Sequence, residues 1–175
     1  VAILMMRHLR KEADEAAKIL GVSHFYTSVP CKDQRFDSMD LLDLVQIIEG
    51  ILNIIRPDTV YTHHRDDLNH DHALTAKAVL VATRPKAECC VRDVYMAEIF
   101  ETSGWAFNYK FQPNVFMDIS STLDDKQRAM GLYNSEVKSW PHPRSAESIE
   151  LNAKRWGSIV GIEAAEAFEL VRSIR

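Results

Sequence analysis

The 175-residue sequence predicts an α/β fold, a single domain over residues 1–175 with a mainly parallel sheet flanked by helices. Three observations carry that expectation. Segments with strand character alternate with segments of helical periodicity, and no linker, repeat or low-complexity stretch divides them. A hydrophobic content of 46% at this length is enough for a real core. A run of titratable side chains follows a short apolar stretch, which is where open α/β sheets place their sites.

The elements follow in order. The opening Val1-Ala-Ile-Leu-Met-Met6 reads either as a buried strand or as the first turns of a helix, with Ile3, Met6, Leu9, Ala13, Ala16 and Leu20 as its apolar positions. Periodicity alone does not separate the two. Residues 7–20 have helical spacing and good helix formers, with Gly21 as the stop. A strand is expected at 22–26 and a loop at 27–37, where Pro30, Asp33 and Asp37 fall. A second helix starts with Ser38 or Asp40 as its cap and ends before Pro57. The strand 59–62 leads into the polar run, and a helix at 72–83 stops near Pro85. Residues 91–100 alternate as a strand, 102–104 read as loop, and 114–119 form a further strand after Pro113. Ser120 or Ser121 caps a helix to about Tyr133, with Asp124 where a capping box usually has Glu. After a loop at 141–145, Ser145 caps a last helical region that Gly157 and Gly161 interrupt before 163–172. Glu163 and Glu166 read as the solvated face of that last helix.

Bulk properties exclude several classes. A net charge of −4, a pI near 6.0 and scattered basic residues argue against a nucleic-acid binder that neutralises phosphates. No apolar run approaches the roughly 18 residues of a membrane span, and no signal peptide is recognisable. Cys31, Cys89 and Cys90 are odd in number and lack CxxC spacing, so they read as buried thiols in a reducing compartment. The expectation is a cytoplasmic protein with no nucleic-acid or membrane partner, and homo-oligomerisation is left open.

The chemistry concentrates in one place. Four of the seven histidines fall within ten residues, as His63, His64, His70 and His72, interleaved with Asp66, Asp67 and Asp71. Imidazole and carboxylate are the ligand set of zinc and the commonest acid–base pair. His72 is the leading metal-ligand candidate, at the expected start of a helix. Asp71 also reads as a cap and dipole partner, Asn69 as a cap or turn residue, and Asp66 and Asp67 as solvated loop charges. A catalytic zinc site needs about three protein ligands and a water, and adjacent residues such as Asp71 and His72 rarely reach one ion together. His8, His24 and His142 are isolated in sequence. Elsewhere, Arg144 in the rigid Pro141-His-Pro-Arg144 loop reads as a surface arginine or a contact to an anionic or hydroxyl-rich ligand. Trp105, beside a polar loop, reads as a core residue or a sugar-stacking ring.

The stretch Arg56-Pro-Asp-Thr-Val-Tyr-Thr-His-His64, followed by Asp67-Leu-Asn-His-Asp-His72, resembles a signature of the LmbE/PIG-L family of zinc-dependent N-acetylglucosaminyl deacetylases. Ala17–Gly21, Pro113–Ile119, Trp140–Ser145 and Gly161–Phe168 agree with the family in order and spacing. The resemblance implies a Rossmann-like fold and hydrolysis of an acetamide on a small amino-sugar substrate, with one Zn2+ ion in the complete protein. It implies that His72 is a zinc ligand and Asp71 its catalytic support. Asn69 stands where the family often has a histidine that assists the tetrahedral intermediate, so His63 or His64 is a candidate substitute. His63, His64, Trp105 and Arg144 are the expected substrate-lining residues. The family's other signature, Ala-His-Pro-Asp-Asp-Glu, supplies two further zinc ligands and the general base, and it does not occur in these residues. An N-terminal segment and a loop after Met6 are therefore expected to be missing from the sequence. The rival reading is a non-catalytic sugar-binding or interaction protein that has lost that half of the metal site. A phosphohydrolase is a weaker third, because phosphate sites recruit more arginine, lysine or a glycine-rich turn.

Overall fold

The computed structural model describes residues 2–23, 33–108 and 110–175, with side chains from His8 onward. The chain divides into two compact units, Val1–Val29 with Phe116–Glu166, and Pro30–Val115 with Ala167–Arg175. Four strands form a sheet in the order β1-β2-β4-β3, so the fold is mixed α/β.

The second unit contains the polar run. Helix α2 (Leu41–Ile55) starts after Asp40 and ends at Arg56, whose left-handed backbone precedes Pro57. Strand β1 (Thr59–His63) runs parallel to β2 (Asp93–Ala97), with Thr59 opposite Asp93 and His63 opposite Ala97. Helix α3 (His70–Ala82) makes the crossover between them that a parallel pair requires. Its Ala78 and Ala82 present little side chain, and α2 packs against them through Leu44 and Val45. Phe36, Met39, Ile48, Leu52 and Leu74 close the edges of that core. A short helix α4 (Phe100–Gly104) follows β2. Strand β4 (Ala165–Arg172) pairs antiparallel with β2, so the sheet is mixed rather than wholly parallel.

The first unit holds α1 (Ala2–Ile19), β3 (Val115–Asp118) from Phe116 on, α5 (Leu123–Gly131) and α6 (Ala146–Val160). Helix α1 takes the helical reading of the first residues and continues through Met6. It ends in a Schellman motif: Gly21 has φ +69°, its N–H donates to Lys18, and the Val22 N–H reaches back to Ala17. Buried Glu12 on α1 accepts hydrogen bonds from the backbone and side chain of Asn134, each at 3.3 Å. Helix α6 begins at Ser145, whose hydroxyl accepts the Ser148 N–H, and ends at Gly161 with φ +78°.

Four sequence expectations differ from this. Thr122, not Ser120 or Ser121, caps α5. Residues 102–104 are helical rather than loop, and Phe100 starts that helix rather than ending a strand. Gly157 does not interrupt α6, because the helix turns there against Ile162 and Ala164 and needs a residue without Cβ. Most importantly, the expected last helix over 163–172 is strand β4. Its Ala-Glu-Ala-Phe-Glu-Leu composition favours helix locally, but sheet pairing and alternate burial of Ala165 and Ala167 override that preference. Most of the strand expected at 22–26, the loop over 27–32, His24 and Cys31 lie outside the described residues.

Candidate active site

The polar run occupies the carboxyl end of β1 and the first turn of α3. The backbone turns sharply after His63: the Asp67 N–H donates to the His64 carbonyl at 3.2 Å, and the Asp66 N–H donates to His64 Nδ1 at 3.1 Å. Asn69 then caps α3 by accepting the Asp71 N–H at 2.9 Å. This turn and cap bring His63, Asp67 and His72 together.

Asp67 is the hub. It is 5% exposed and takes four donors. One carboxylate oxygen accepts the Thr102 and Ser103 hydroxyls, both at 2.9 Å. The other accepts the Asn69 N–H at 2.8 Å and lies 3.3 Å from His72 Nδ1. Burial pushes this carboxyl up, but the hydrogen bonds from His72, Thr102, the Asn69 backbone and Ser103 outweigh it and hold the group at about 2, against an ordinary 3.8. An ionised carboxylate can only accept, so the His72 proton sits on Nδ1. The Thr102 oxygen, 3.5 Å from the same nitrogen, faces it as well. No described residue occupies His72 Nε2, whose lone pair is left for an incoming ligand.

His63 stacks on His72 with ring centroids 4.1 Å apart and planes within 6°. Burial, then the neighbouring His72, drive its imidazole down to about 4 against the pull of Asp67, so His63 is uncharged at neutral pH. Its Nδ1 is buried and has no partner among the described residues.

His64 behaves differently from its neighbour. It is 1% exposed, its Nδ1 accepts the Asp66 N–H, and its Nε2 lies 3.1 Å from Glu169 of β4. Both ring nitrogens are engaged within the protein, so neither is free to line a substrate. Glu169 also pairs with Arg65. The remaining candidates are dispersed. The buried Asp71 carboxylate accepts the Phe36 N–H at 3.1 Å, anchoring the segment before α2 to the start of α3. Trp105, about half exposed, directly follows α4, three residues after Thr102. Arg144 belongs to the other unit, where it pairs with Glu136 and its N–H donates to His142 Nδ1.

Sequence reasoning missed four residues. Asp67 looked like a solvated charge, and nothing in the sequence ties it to Thr102 and Ser103, 35 and 36 residues on. Glu169 falls in a segment that reads as helix by composition, and its place on a strand depends on pairing with β2, which no local signal shows. As for a metal, His72 fits one ligand position, its Nδ1 held by a carboxylate and its Nε2 bare. Among the described residues no group of three His, Cys, Asp or Glu side chains could enclose an ion.

The mixed α/β fold of this chain, with its oriented imidazole at the carboxyl end of a parallel strand, is shared by several solved structures. In solved structures this fold is found in the conserved protein TT1542 from Thermus thermophilus, at 20% identity and a TM-score of 0.75, over 97% of this chain and 75% of that one. It is found in the N,N'-diacetylchitobiose deacetylase from Pyrococcus horikoshii, at 17% identity and 0.74, over 96% and 64%. A deacetylase of the teicoplanin biosynthesis pathway matches at 22% identity and 0.64, over 95% and 73%. By sequence, residues 4–83 match the family model PIG-L, GlcNAc-PI de-N-acetylase.

Proposed function

We infer that the protein is a metal-assisted N-deacetylase that hydrolyses the acetamide of an N-acetylglucosamine-type conjugate to a free amine and acetate. The observation that carries this reading is His72: an imidazole fixed through Nδ1 by a buried carboxylate, with Nε2 bare, inside the segment that matches the family model. A histidine held in that way is the usual form of a metal ligand. One zinc ion is the expected cofactor, and when bound it supplies Lewis acidity and a water of lowered pKa. The described residues do not assemble a full ligand set, so the roles assigned are those of the chain's own groups. Asp67 sets the tautomer and orientation of His72. His63 provides an uncharged wall against one face of His72. Asn69 and Asp71, on the same turn as His72, are the candidate catalytic side chains, and Trp105 is the candidate sugar contact of this unit. The sugar-directed name of the Pyrococcus neighbour favours a small amino-sugar substrate. A cytoplasmic location is part of this proposal; no described helix is long and apolar enough to cross a membrane.

The test combines metal analysis with a deacetylation assay. The full-length protein is expected to bind about one equivalent of zinc and to release acetate from N-acetylglucosamine conjugates. Stoichiometric zinc with no acetate from any amino-sugar substrate would sink the proposal.

A further inference from the structure

We propose that Glu169 of β4 is a positioning residue for the Asp67–His72 pair, acting through the buried ring and backbone of His64. This rests on the reading of His72 as the reactive imidazole.

The argument begins with the register of β4. Glu169 lies opposite Met96 on β2, and Met96 lies opposite Thr62 on β1, so the Glu169 backbone is fixed relative to the strand that ends at His63. Its carboxylate meets the two residues that follow that strand. It accepts from His64 Nε2 at 3.1 Å and from the Arg65 guanidinium. The tautomer at His64 is forced, because Nδ1 accepts the Asp66 N–H at 3.1 Å and must be bare, which puts the proton on Nε2, facing Glu169. Glu169 supplies an acceptor for that proton in a ring that is 1% exposed.

His64 is also the pivot of the turn that delivers Asp67. The ring accepts the Asp66 N–H, and the backbone carbonyl accepts the Asp67 N–H at 3.2 Å. A rotation of the His64 ring breaks the first contact and loosens the second. The Asp67 carboxylate, two residues further on, then loses its placement against His72 Nδ1 at 3.3 Å. Hydrogen bonds and one short backbone turn thus connect Glu169, His64, Asp67 and His72 without a gap. Supporting shells of this type fix ring orientation and tautomer in reactive histidines. Thr102 and Ser103 hold Asp67 from the α4 side, so Glu169 governs its approach and not its burial.

The experiment reads the tautomer of His72 by 15N nuclear magnetic resonance of the metal-free protein near pH 7.5, which requires no turnover. In the wild type, His72 is expected to carry its proton on Nδ1 alone. Glu169→Leu removes the acceptor and is expected to shift His72 to a mixture in which Nε2–H, the form favoured in free histidine, predominates. Glu169→Gln keeps an acceptor oxygen for His64 and is expected to retain most of the Nδ1–H form. His142, on the α5–α6 loop, serves as a control and should keep its wild-type signals in both variants. A folded Glu169→Leu protein whose His72 remains wholly Nδ1–H overturns the proposal. Loss of folding in both variants also overturns it, since Glu169 would then be a residue of stability only. Absence of deacetylase activity in a wild type that has the predicted tautomer rejects the deacetylase reading and leaves the positioning role standing.

Discussion

Replacing Asp67 with asparagine keeps the shape of the hub and reverses half of its polarity. Both carboxylate oxygens are committed: one to the Thr102 and Ser103 hydroxyls, the other to the Asn69 N–H and His72 Nδ1–H. Turned toward Asn69 and His72, its NH2 group faces two donors; turned toward Thr102 and Ser103, it forces both hydroxyls to reorient as acceptors. The size of the loss follows from linkage. A buried carboxyl held at about 2 instead of 3.8 contributes ~2.5 kcal/mol at neutral pH. That lies within the ~1.5–3 kcal/mol of a single hydrogen bond to a charged group, so 2–3 kcal/mol is about the expected loss. The sign is definite: the folded pKa is depressed, so the stabilisation is complete above the unfolded value of 3.8 and is lost as pH falls through about 2. Urea unfolding of the chelator-treated wild type and Asp67→Asn, near pH 7 and again near pH 3, measures it. The gap between the two proteins should shrink by ~1 kcal/mol at the lower pH. A variant within roughly 0.5 kcal/mol of wild type at neutral pH, or a gap of equal size at both pH values, refutes the reasoning.

Two further perturbations test the surroundings. His63→Phe retains an aromatic face for His72 and removes the titrating group. Since the folded His63 pKa lies at about 4, below its ordinary 6.5, the wild type should lose about 2–3 kcal/mol between those pH values that the variant keeps, read from parallel denaturant curves. Gly157→Ala would place a Cβ 2.6 Å from the Ile162 carbonyl oxygen and 2.9 Å from Ala164 backbone atoms. None of these is a flexible side chain that can move aside, so thermal unfolding should report a loss of about 2–3 kcal/mol; an unchanged midpoint would mean that the turn into β4 can shift.

Local signals made much of this fold legible. The α2, β1 and α3 boundaries followed from Asp40, Pro57 and the apolar spacing, and Ser145 announced α6. What failed was non-local. The segment 165–172 has helix-forming composition and becomes a strand only because β2 offers an edge for it to pair with. The same misreading hid Glu169. Within the site, the sequence singled out His72 by its clustering with other titratable residues. It could not reveal that adjacent histidines have opposite environments. His63 stacks on His72, whereas His64 turns inward to Glu169, because alternate residues at a strand end face opposite ways. Asp67 was undervalued for a related reason: a loop aspartate looks solvated until the hydroxyls of α4, 35 residues away, close over it.

The central claim, that His72 serves an amide hydrolase, is tested most directly by isotope-labelled acetate release from an N-acetylglucosamine conjugate. The assay compares the zinc-supplied full-length protein with its His72→Ala variant. The account predicts steady release by the wild type and a loss of at least about a hundredfold in the variant, at or beyond the top of the ~10–100-fold cost of losing an outer-shell partner of a metal ligand. Equal release by both proteins would contradict it.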